Sequence, residues 1–369
     1  MRVAIVGGGI SGLSTAFYLR RARPDWQIEL FERESRLGGT MHTENREGFL
    51  FEAGGNGFLT NKPDSLDLVH AAGGDHLLMK SNKAAQIRYV YTDALYRLPE
   101  SPPAFLKTPL LTPLEKMRVA AELFIPAKKT DADETVASFG RRRLGKGFTD
   151  VFLNAMIAGI YASTPEQTSI NAAFPKVVEL ERRYGGLFRG MFKKRKREAG
   201  PGGHLTSFQG GVGTLIDHLE SVVGVGLHKG VEVQGISRSG DLYQISTGSG
   251  LFEADRIVVA APTYAARDML VELHSGFRKH LDAIGYSPVA VVGFGYEKLD
   301  HPLNGFGLLT TESAKKGILG VLWDSSVFPD RAPPGKKSMR VLIGGQRDPD
   351  LPSLGEEALV GLEIGRAHV

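Results

Sequence analysis

The amino-terminal forty residues alternate between short apolar runs and glycine-rich turns. An apolar run at residues 3–6 leads into Gly-Gly-Gly-Ile-Ser-Gly at residues 7–12, and a helical pattern begins after it. A second apolar run, at residues 28–31, ends at Glu32. This order of strand, glycine turn, helix and strand is typical of an α/β dinucleotide-binding unit.

The middle of the chain changes to a helical pattern. Residues 87–91 and 95–98 first read as a β-hairpin, and the proline-rich residues 99–113 are predicted to be extended. A helix is then predicted to start at Thr112-Pro113-Leu114-Glu115, with Leu114, Met117, Ala121 and Phe124 on one face. Further helices are predicted at residues 135–144 and 148–157, and another helix start at residues 164–167.

The carboxyl-terminal part returns to strand patterns. A helix at residues 213–223 precedes short strands that are predicted at residues 230–233, 242–246 and 251–253 and a continuous apolar run at residues 256–262. Strand-like runs then follow at residues 289–296, 305–309, 317–323 and 339–344. These patterns predict that the dinucleotide-binding domain resumes here and that a second sheet follows it.

Composition narrows the class of protein. The 369 residues are 42% hydrophobic and 23% charged, which is typical of a globular protein of two to three domains. The chain has no cysteine, which excludes disulfides and thiolate metal sites, and its ten histidines show no metal-ligand spacing. We therefore predict no metal site. The sequence also predicts neither a signal peptide nor a membrane-spanning segment.

The net charge is only +4, but basic residues are clustered. Residues 193–197 read Lys-Lys-Arg-Lys-Arg, and residues 141–143 are three arginines. Such a run is compatible with a solvated loop, with contact to anionic lipid, or with a nucleic-acid patch. Because nothing else in the sequence resembles a nucleic-acid module, we predict no nucleic-acid partner.

The glycine motif carries the candidate chemistry. Gly7 allows a tight turn, Gly9 lets the backbone approach a pyrophosphate, and Gly12 allows the helix to pack closely on the strand. Glu32, at the end of the next strand, is placed to accept hydrogen bonds from a ribose. A second diglycine follows, in Arg36-Leu37-Gly38-Gly39-Thr40. The spacing alone does not separate FAD from NAD.

Four stretches of the chain together resemble the oxygen-dependent, FAD-dependent protoporphyrinogen oxidase family. They are residues 7–39, residues 139–145 continuing through 158–161 to 174–175, residues 207–211, and residues 301–307 through 328–333 to 344–345. The glycine motif is shared with flavin amine oxidases and carotenoid desaturases. The middle and late stretches distinguish the protoporphyrinogen oxidase family from those two groups of enzymes.

The resemblance implies an α/β fold with a Rossmann-like FAD-binding domain, a helical insertion and a mixed-sheet substrate domain. The implied boundaries are residues 1–85 and 203–265 for the FAD domain, 99–200 for the helical domain, and 86–98 with 266–355 for the substrate domain. The helical domain is the one expected to associate with membranes.

The resemblance also implies site residues. The residues expected to bind FAD are Gly7, Gly8, Gly9, Ile10, Ser11, Gly12, Glu32, Arg36, Gly39, Thr40, Gly54, Gly55, Asn56, Gly57 and Val233. In the substrate cavity, Arg88 is expected to pair with a propionate and Phe306 to stack on a pyrrole ring. Gly159 and Val289 are expected to line the same cavity.

The implied reaction is the oxidation of protoporphyrinogen IX in haem biosynthesis. The flavin would accept hydride from the macrocycle and dioxygen would reoxidise the flavin, so that no catalytic side chain and no metal are needed. The alternatives are oxidation of coproporphyrinogen III, a flavin oxidase acting on amines, and a flavin-free protein without catalytic activity. The resemblance implies a cytoplasmic protein, peripheral on the membrane, and leaves a homodimer open.

The sequence departs from the family pattern at its carboxyl end. The family continues for roughly another hundred residues, which is longer than the ~50 residue floor of a domain. Residues 363–369, Glu-Ile-Gly-Arg-Ala-His-Val, resemble no family segment and are expected to be a non-native tail. On this interpretation the chain is a truncated family member.

Overall fold

The computed structural model describes residues 1–61, 63–194 and 203–364. The strands are β1 (Arg2–Val6), β2 (Gln27–Glu32), β3 (Thr43–Arg46), β4 (Phe49–Glu52), β5 (Phe58–Leu59), β6 (Leu78–Lys80), β7 (Tyr89–Tyr91), β8 (Leu95–Arg97), β9 (Leu205–Phe208), β10 (Gly226–Lys229), β11 (Val233–Ser239), β12 (Leu242–Thr247), β13 (Gly250–Ala254), β14 (Arg256–Val259), β15 (Val289–Tyr296), β16 (Gly307–Thr310), β17 (Ile318–Leu322) and β18 (Lys337–Gly344).

The helices are α1 (Ile10–Ala22), α2 (Pro63–Ala71), α3 (Pro102–Lys107), α4 (Pro113–Ala120), α5 (Val136–Arg143), α6 (Lys146–Phe148), α7 (Asn154–Tyr161), α8 (Ile170–Ala173), α9 (Pro175–Tyr184), α10 (Leu187–Lys194), α11 (Gly213–Val222), α12 (Thr263–Leu270), α13 (Gly276–Asp282), α14 (Asp324–Val327) and α15 (Glu356–Ile364). Eight of the helices, α3 to α10, follow one another between β8 and β9, and a π-helical turn (Thr149–Leu153) precedes the seventh helix.

The chain divides into two compact units, each built from two stretches of sequence. The first unit comprises Met1–Ser81 and Gly203–Tyr286, and the second comprises Asn82–Gly202 and Ser287–Val369. Each unit therefore contains chain segments that are distant in sequence.

The first unit is built on a parallel sheet with the strand order β10-β2-β1-β14. Because side chains alternate along a strand, β1 supplies two cores. Val3 and Ile5 pack with α1 and α11 on one face, while Ala4 and Val6 pack with the antiparallel meander β11-β12-β13 on the other. Burial on both faces explains why β1 reads as a continuous apolar run.

The second unit is built on a mixed sheet with the strand order β15-β18-β17-β16-β7-β8. Neighbouring strands of this sheet are antiparallel except for β16 and β7, which pair in parallel. Its core includes Trp323, Val341 and Ile343. The helices α3 to α10 belong to the same unit and have separate small cores around Phe139 and Val119.

Several predicted elements are confirmed. The hairpin forms as β7 and β8, and β15 covers the predicted residues 289–296. The helix predicted at Thr112 begins as expected, because the Thr112 and Glu115 side chains form a capping box. The apolar face predicted for this helix is exposed at Leu114, Met117 and Phe124 rather than packed in a core.

Three local predictions were wrong. The strand predicted at residues 230–233 is the connection between β10 and β11, and only Val233 of it lies in a strand. The segment predicted to be extended contains α3, because proline at the first helical position is compatible with a helix and Ser101 caps it. The helix predicted at residues 164–167 is a turn. Its Pro165 carbonyl accepts a hydrogen bond from Ala137 N at the start of α5, so this segment caps another helix instead of starting one.

The strand β10 was also missed, because its Gly226–Lys229 sequence shows no apolar alternation. Among the described residues, no helix is long and apolar enough to cross a membrane. Residues 195–197 of the basic run and residues 365–369 of the expected tail lie outside the described residues.

Candidate flavin and substrate sites

The turn between β1 and α1 is one that only glycine can form. Gly7 has a φ of 106°, and a Cβ at this residue would lie 2.9 Å from the Ala260 carbonyl. A Cβ at Gly12 would lie 1.9 Å from the Gly7 carbonyl oxygen. The close approach of α1 to the end of β1 therefore depends on both glycines.

The start of α1 offers free backbone donors. Gly9 is the residue before the helix, and no side chain caps the helix there. A Cβ built at Gly9 would have no atom within 4 Å, so this glycine faces open space. Ile10 and Ser11 form the first helical positions. An uncapped helix start beside an open glycine is a suitable environment for a pyrophosphate, because the amide groups and the helix dipole both attract negative charge.

Two backbone N–H groups hold the Glu32 carboxylate in place, one from the glycine turn after β1 and one from the residues after β2. Its Oε2 accepts a hydrogen bond from Gly8 N at 2.7 Å, and its Oε1 accepts one from Glu34 N at 2.9 Å. A carboxylate has about four acceptor positions, so two remain for other donors. The carboxylate is held at the end of β2, as the ribose-binding role requires.

The second diglycine lies against the first. Gly38 N donates to the Gly8 carbonyl at 2.8 Å, and Gly9 and Gly38 form a parallel β-bridge. The Arg36 guanidinium donates to the Gly39 carbonyl at 2.9 Å. The two glycine-rich segments predicted to bind FAD are therefore brought together by main-chain bonds.

The loop of residues 54–57 contributes one side chain with an unused donor. A Cβ at Gly54 would lie 2.6 Å from the Thr40 carbonyl oxygen, whereas Gly55 faces open space. The Asn56 side chain is buried, and its Nδ2 has no hydrogen-bond partner among the described residues. A buried amide without a partner is costly, so Asn56 is suited to bind a polar group of a ligand. Gly57 follows without regular structure.

Val233 starts β11 and is buried in the core that also contains Phe31. It therefore lies on the sheet face beneath the meander, on the same side of β2 as Phe31.

Glu52, which the sequence analysis did not single out, is a buried carboxylate at the end of β4. Its oxygens accept hydrogen bonds from Thr43 Oγ1 at 2.6 Å and Val212 N at 3.1 Å, and Thr43 Oγ1 accepts one from Gly213 N at 2.9 Å. These bonds join β3 and β4 to the start of α11. A lone acid at the end of the apolar run Phe-Leu-Phe was the signal that could have shown it.

In the second unit, the structure brings Arg88 and Phe306 together. The Arg88 guanidinium lies over the Phe306 ring, 5.6 Å from its centre. The backbone fixes both residues, because Phe306 N donates to the Ile87 carbonyl at 2.7 Å and Leu98 N donates to the Arg88 carbonyl at 2.8 Å. A cation and an aromatic face are thus held side by side.

Gly159 and Val289 lie in the same unit as Arg88 and Phe306, but they contact different strands of its sheet. A Cβ at Gly159 of α7 would lie 2.3 Å from the Leu309 side chain, so this helix lies directly on β16. Val289 starts the edge strand β15, which is separated from β16 by β18 and β17. Three strand spacings correspond to about 14 Å. The shared cavity lining of Gly159 and Val289 therefore stays a prediction, with the two residues on different strands of one sheet or packed against it.

A separate cavity of about 470 Å³ opens at the other end of the parallel sheet in the first unit. Its lining includes Arg2, Glu29, Phe31 and Phe252. Dinucleotides bind at the carboxyl ends of parallel strands, where Gly7 lies, so this cavity is distinct from the candidate flavin site.

Comparison with known proteins decides the family. The profile of the flavin containing amine oxidoreductase family matches residues 10–364. The chain belongs to this family.

Members of this family and its porphyrinogen-oxidising branch are similar to the chain along most of its length. Coproporphyrinogen III oxidase from Bacillus subtilis (strain 168) is 28% identical, over 98% of this chain and 81% of its own. Protoporphyrinogen oxidase from Homo sapiens is 30% identical, over 93% and 77%. A crystal structure from Exiguobacterium sp. 255-15, assigned provisionally as a protoporphyrinogen oxidase, superposes with a TM-score of 0.87 at 27% identity, over 99% and 81%.

This family member is an FAD-dependent oxidoreductase. Three features of the first unit fit the cofactor: the uncapped start of α1, the open position at Gly9, and the unused Asn56 donor. Among the described residues, no cluster of histidine and acidic side chains could hold a metal ion.

Proposed function

We propose that this enzyme oxidises a porphyrinogen in haem biosynthesis, and that its substrate is protoporphyrinogen IX with dioxygen as the electron acceptor. The arrangement of Arg88 over Phe306 is the observation that carries the proposal. A porphyrinogen carries propionate groups on a macrocycle of pyrrole rings. The paired cation and aromatic face complement those two features, and the names of the similar proteins support the same substrate class.

The protein residues act by binding and orientation. Arg88 would hold a propionate through charge-assisted hydrogen bonds, and Phe306 would pack on a pyrrole ring. FAD, when bound, supplies the hydride acceptor. Fixing the macrocycle at two points restricts which of its carbons is presented for oxidation, which lowers the entropic part of the barrier.

The choice of protoporphyrinogen over coproporphyrinogen is based on the late sheet. Coproporphyrinogen III carries additional propionates and therefore needs additional unpaired cations. In this part of the chain, Arg340 makes a buried two-bond ion pair with Asp324 at 2.8 and 2.9 Å, and Arg331 pairs with Asp330. Because these two arginines are buried and paired within the protein, the choice rests on the single guanidinium of Arg88, which suits the substrate with fewer carboxylates.

An oxidation assay with both porphyrinogens tests the proposal. Each substrate is added anaerobically to the purified flavoprotein, air is admitted, and porphyrin fluorescence and oxygen uptake are followed. We expect a higher kcat/KM for protoporphyrinogen IX. Oxidation of neither substrate by protein with bound flavin would overturn the proposed function, and a higher kcat/KM for coproporphyrinogen III would overturn the substrate choice alone.

We also propose that the helical block, which comprises helices α3 to α10 of the second unit, contacts an anionic membrane surface from the cytoplasmic side. Large apolar side chains of this block are exposed: Leu106 by 68%, Leu114 by 73% and Phe124 by 81%. Lys107 and Lys116 accompany them on α3 and α4. Exposed apolar residues with lysines nearby suit the boundary between headgroups and acyl chains, where both the apolar and the charged contacts are favourable.

A further inference from the structure

Arg347 lies just after β18 and joins two other elements of the second unit. Its Nη2 donates to the Asn154 side chain at 2.6 Å and to the Asn154 carbonyl at 3.1 Å. Its Nη1 donates to the Thr310 carbonyl at 2.9 Å. Asn154 is the first residue of α7 and Thr310 the last of β16, so one guanidinium connects that helix to that strand.

The Arg347 side chain is partly buried, and its hydrogen bonds are to Asn154 and Thr310. Burial lowers the pKa of the Arg347 guanidinium below its ordinary value, although the charges of Glu312 and Asp348 oppose this shift. Its Nε is buried without a hydrogen-bond partner among the described residues. Asn154 bridges Arg347 and Glu312 by hydrogen bonds. Its Nδ2 donates to the Glu312 carboxylate at 3.3 Å, and its Oδ1 accepts from Arg347 and from Glu312 N.

The residues before Arg347 hold the opposite end of α7. Gln346 N donates to the Ala162 carbonyl at 2.8 Å. Ala162 follows the last residue of the helix and has a φ of 49°, and a Cβ at Gly345 would lie 2.4 Å from its carbonyl oxygen. The segment after β18 therefore contacts both ends of α7.

Between these two ends, Gly159 rests on Leu309 of β16. A Cβ at Gly159 would come within 2.3 Å of the Leu309 side chain, so a small outward movement of α7 would change this contact. Gly159 is a predicted lining residue of the substrate cavity. The position of α7 on the sheet thus sets the position of that part of the wall.

We propose that Arg347 is a positioning residue for the substrate cavity. By joining Asn154 to Thr310, it fixes α7 against β16 and keeps the Gly159 wall in place. The inference rests on the proposed function, since the wall matters only if a porphyrinogen binds there.

A double-mutant cycle separates this role from direct contact with substrate. The variants are Arg347→Met, Asn154→Ala and the double variant, with Arg141→Met as the matched control, because Arg141 makes an exposed pair with Glu166. We expect each single variant to raise the KM for protoporphyrinogen about tenfold with flavin content unchanged, and the double variant to be no worse than the singles. Arg347→Lys should behave like Arg347→Met, because an ammonium cannot make the bonds of the guanidinium fork.

Three outcomes would overturn the inference: an unchanged KM, additive effects in the double variant, or full rescue by Arg347→Lys. If Arg347→Met does not fold, the comparison of Asn154→Ala with Arg347→Lys carries the same test. Amide hydrogen exchange provides a readout that needs no substrate. We expect residues 158–162 to exchange at least about tenfold faster in Arg347→Lys than in Arg141→Met, which corresponds to a local loss of about 1.4 kcal/mol. Wild-type protein that oxidises neither porphyrinogen would overturn the proposed function, whereas unchanged exchange would overturn the positioning role.

Discussion

The candidate sites of the two units are made from different parts of the chain. In the first unit the site is mostly backbone, because the Gly7 and Gly12 positions leave no room for a side chain and the start of α1 presents its own amide groups. In the second unit the site is made by side chains, with the Arg88 guanidinium over the Phe306 ring. On the proposed assignment, the cofactor would be recognised mainly by the course of the main chain, and the substrate by side-chain chemistry.

The two sites also differ in how their parts are brought together. Gly8 and Glu32, which bond in the first unit, are 24 residues apart in the sequence. Arg88 and Phe306 directly precede β7 and β16, and the two segments meet across 215 residues, where Tyr89 OH donates to the Asn304 carbonyl. We therefore expect a substitution in the first site to act by steric clash with the backbone. A substitution in the second site should act by removing a charge or a side-chain contact.

The largest effect is expected from Gly12→Ala. The added methyl would lie 1.9 Å from the Gly7 carbonyl oxygen, so the helix must move away from the strand. Such overpacking costs about 1–3 kcal/mol, and the flavin site is built on the displaced turn. We expect at least about a tenfold loss of bound FAD, measured by flavin absorbance per mole of purified protein.

A matched pair of glycine variants shows whether this loss is local. Gly9→Ala and Gly248→Ala both place a methyl in open space, so neither should disturb folding. Only Gly9→Ala should weaken FAD binding, since only Gly9 lies at the start of α1. Equal flavin content in all three variants would contradict a backbone-built site.

The second effect in size is expected from Arg88→Met, which removes the charge but keeps a long side chain. A hydrogen bond to a charged group contributes about 1.5–3 kcal/mol, so we expect the KM for protoporphyrinogen to rise by about tenfold to a hundredfold. Flavin content should stay unchanged. Arg97→Met on the same hairpin is the control, because Arg97 makes an exposed pair with Glu100. Similar kinetics of the two variants would remove Arg88 from the site.

The same contrast explains what the sequence could predict. The glycine turn is local, so the spacing of Gly7, Gly12 and Glu32 was enough to predict the dinucleotide-binding unit. Arg88 and Phe306 were found through family resemblance, and their contact needed the pairing of β7 with β16. The bond between Asn154 and Arg347 spans 193 residues and has no local pattern, so periodicity could not reveal it.

The exposed apolar residues of the helical block are a further difference between the second unit and the first, and they carry the proposed membrane contact. The double variant Leu114→Ser with Phe124→Ser should bind vesicles of anionic phospholipid about tenfold more weakly in a sedimentation assay, because it removes apolar area from the interface. Leu251→Ser in the first unit is the control, as Leu251 is similarly exposed. Equal loss in both proteins, or no vesicle binding by the wild type, would contradict the membrane proposal.

The smallest effect is expected at Asn56, a side chain in a candidate site that is built mostly from main chain. Its Nδ2 is buried and unpartnered among the described residues, so a bond to the cofactor would satisfy it. Asn56→Ala removes that single hydrogen bond, which is worth about 0.5–1.5 kcal/mol, and should weaken FAD binding about threefold to tenfold in titrations of the apoprotein. Asn56→Asp keeps the size but replaces the donor with a negative charge, and should bind FAD more weakly than Asn56→Ala because charge repulsion is added to the lost bond. If Asn56→Asp binds FAD as tightly as the wild type, Asn56 does not contact the cofactor, and the first site is built from main chain and Glu32 alone.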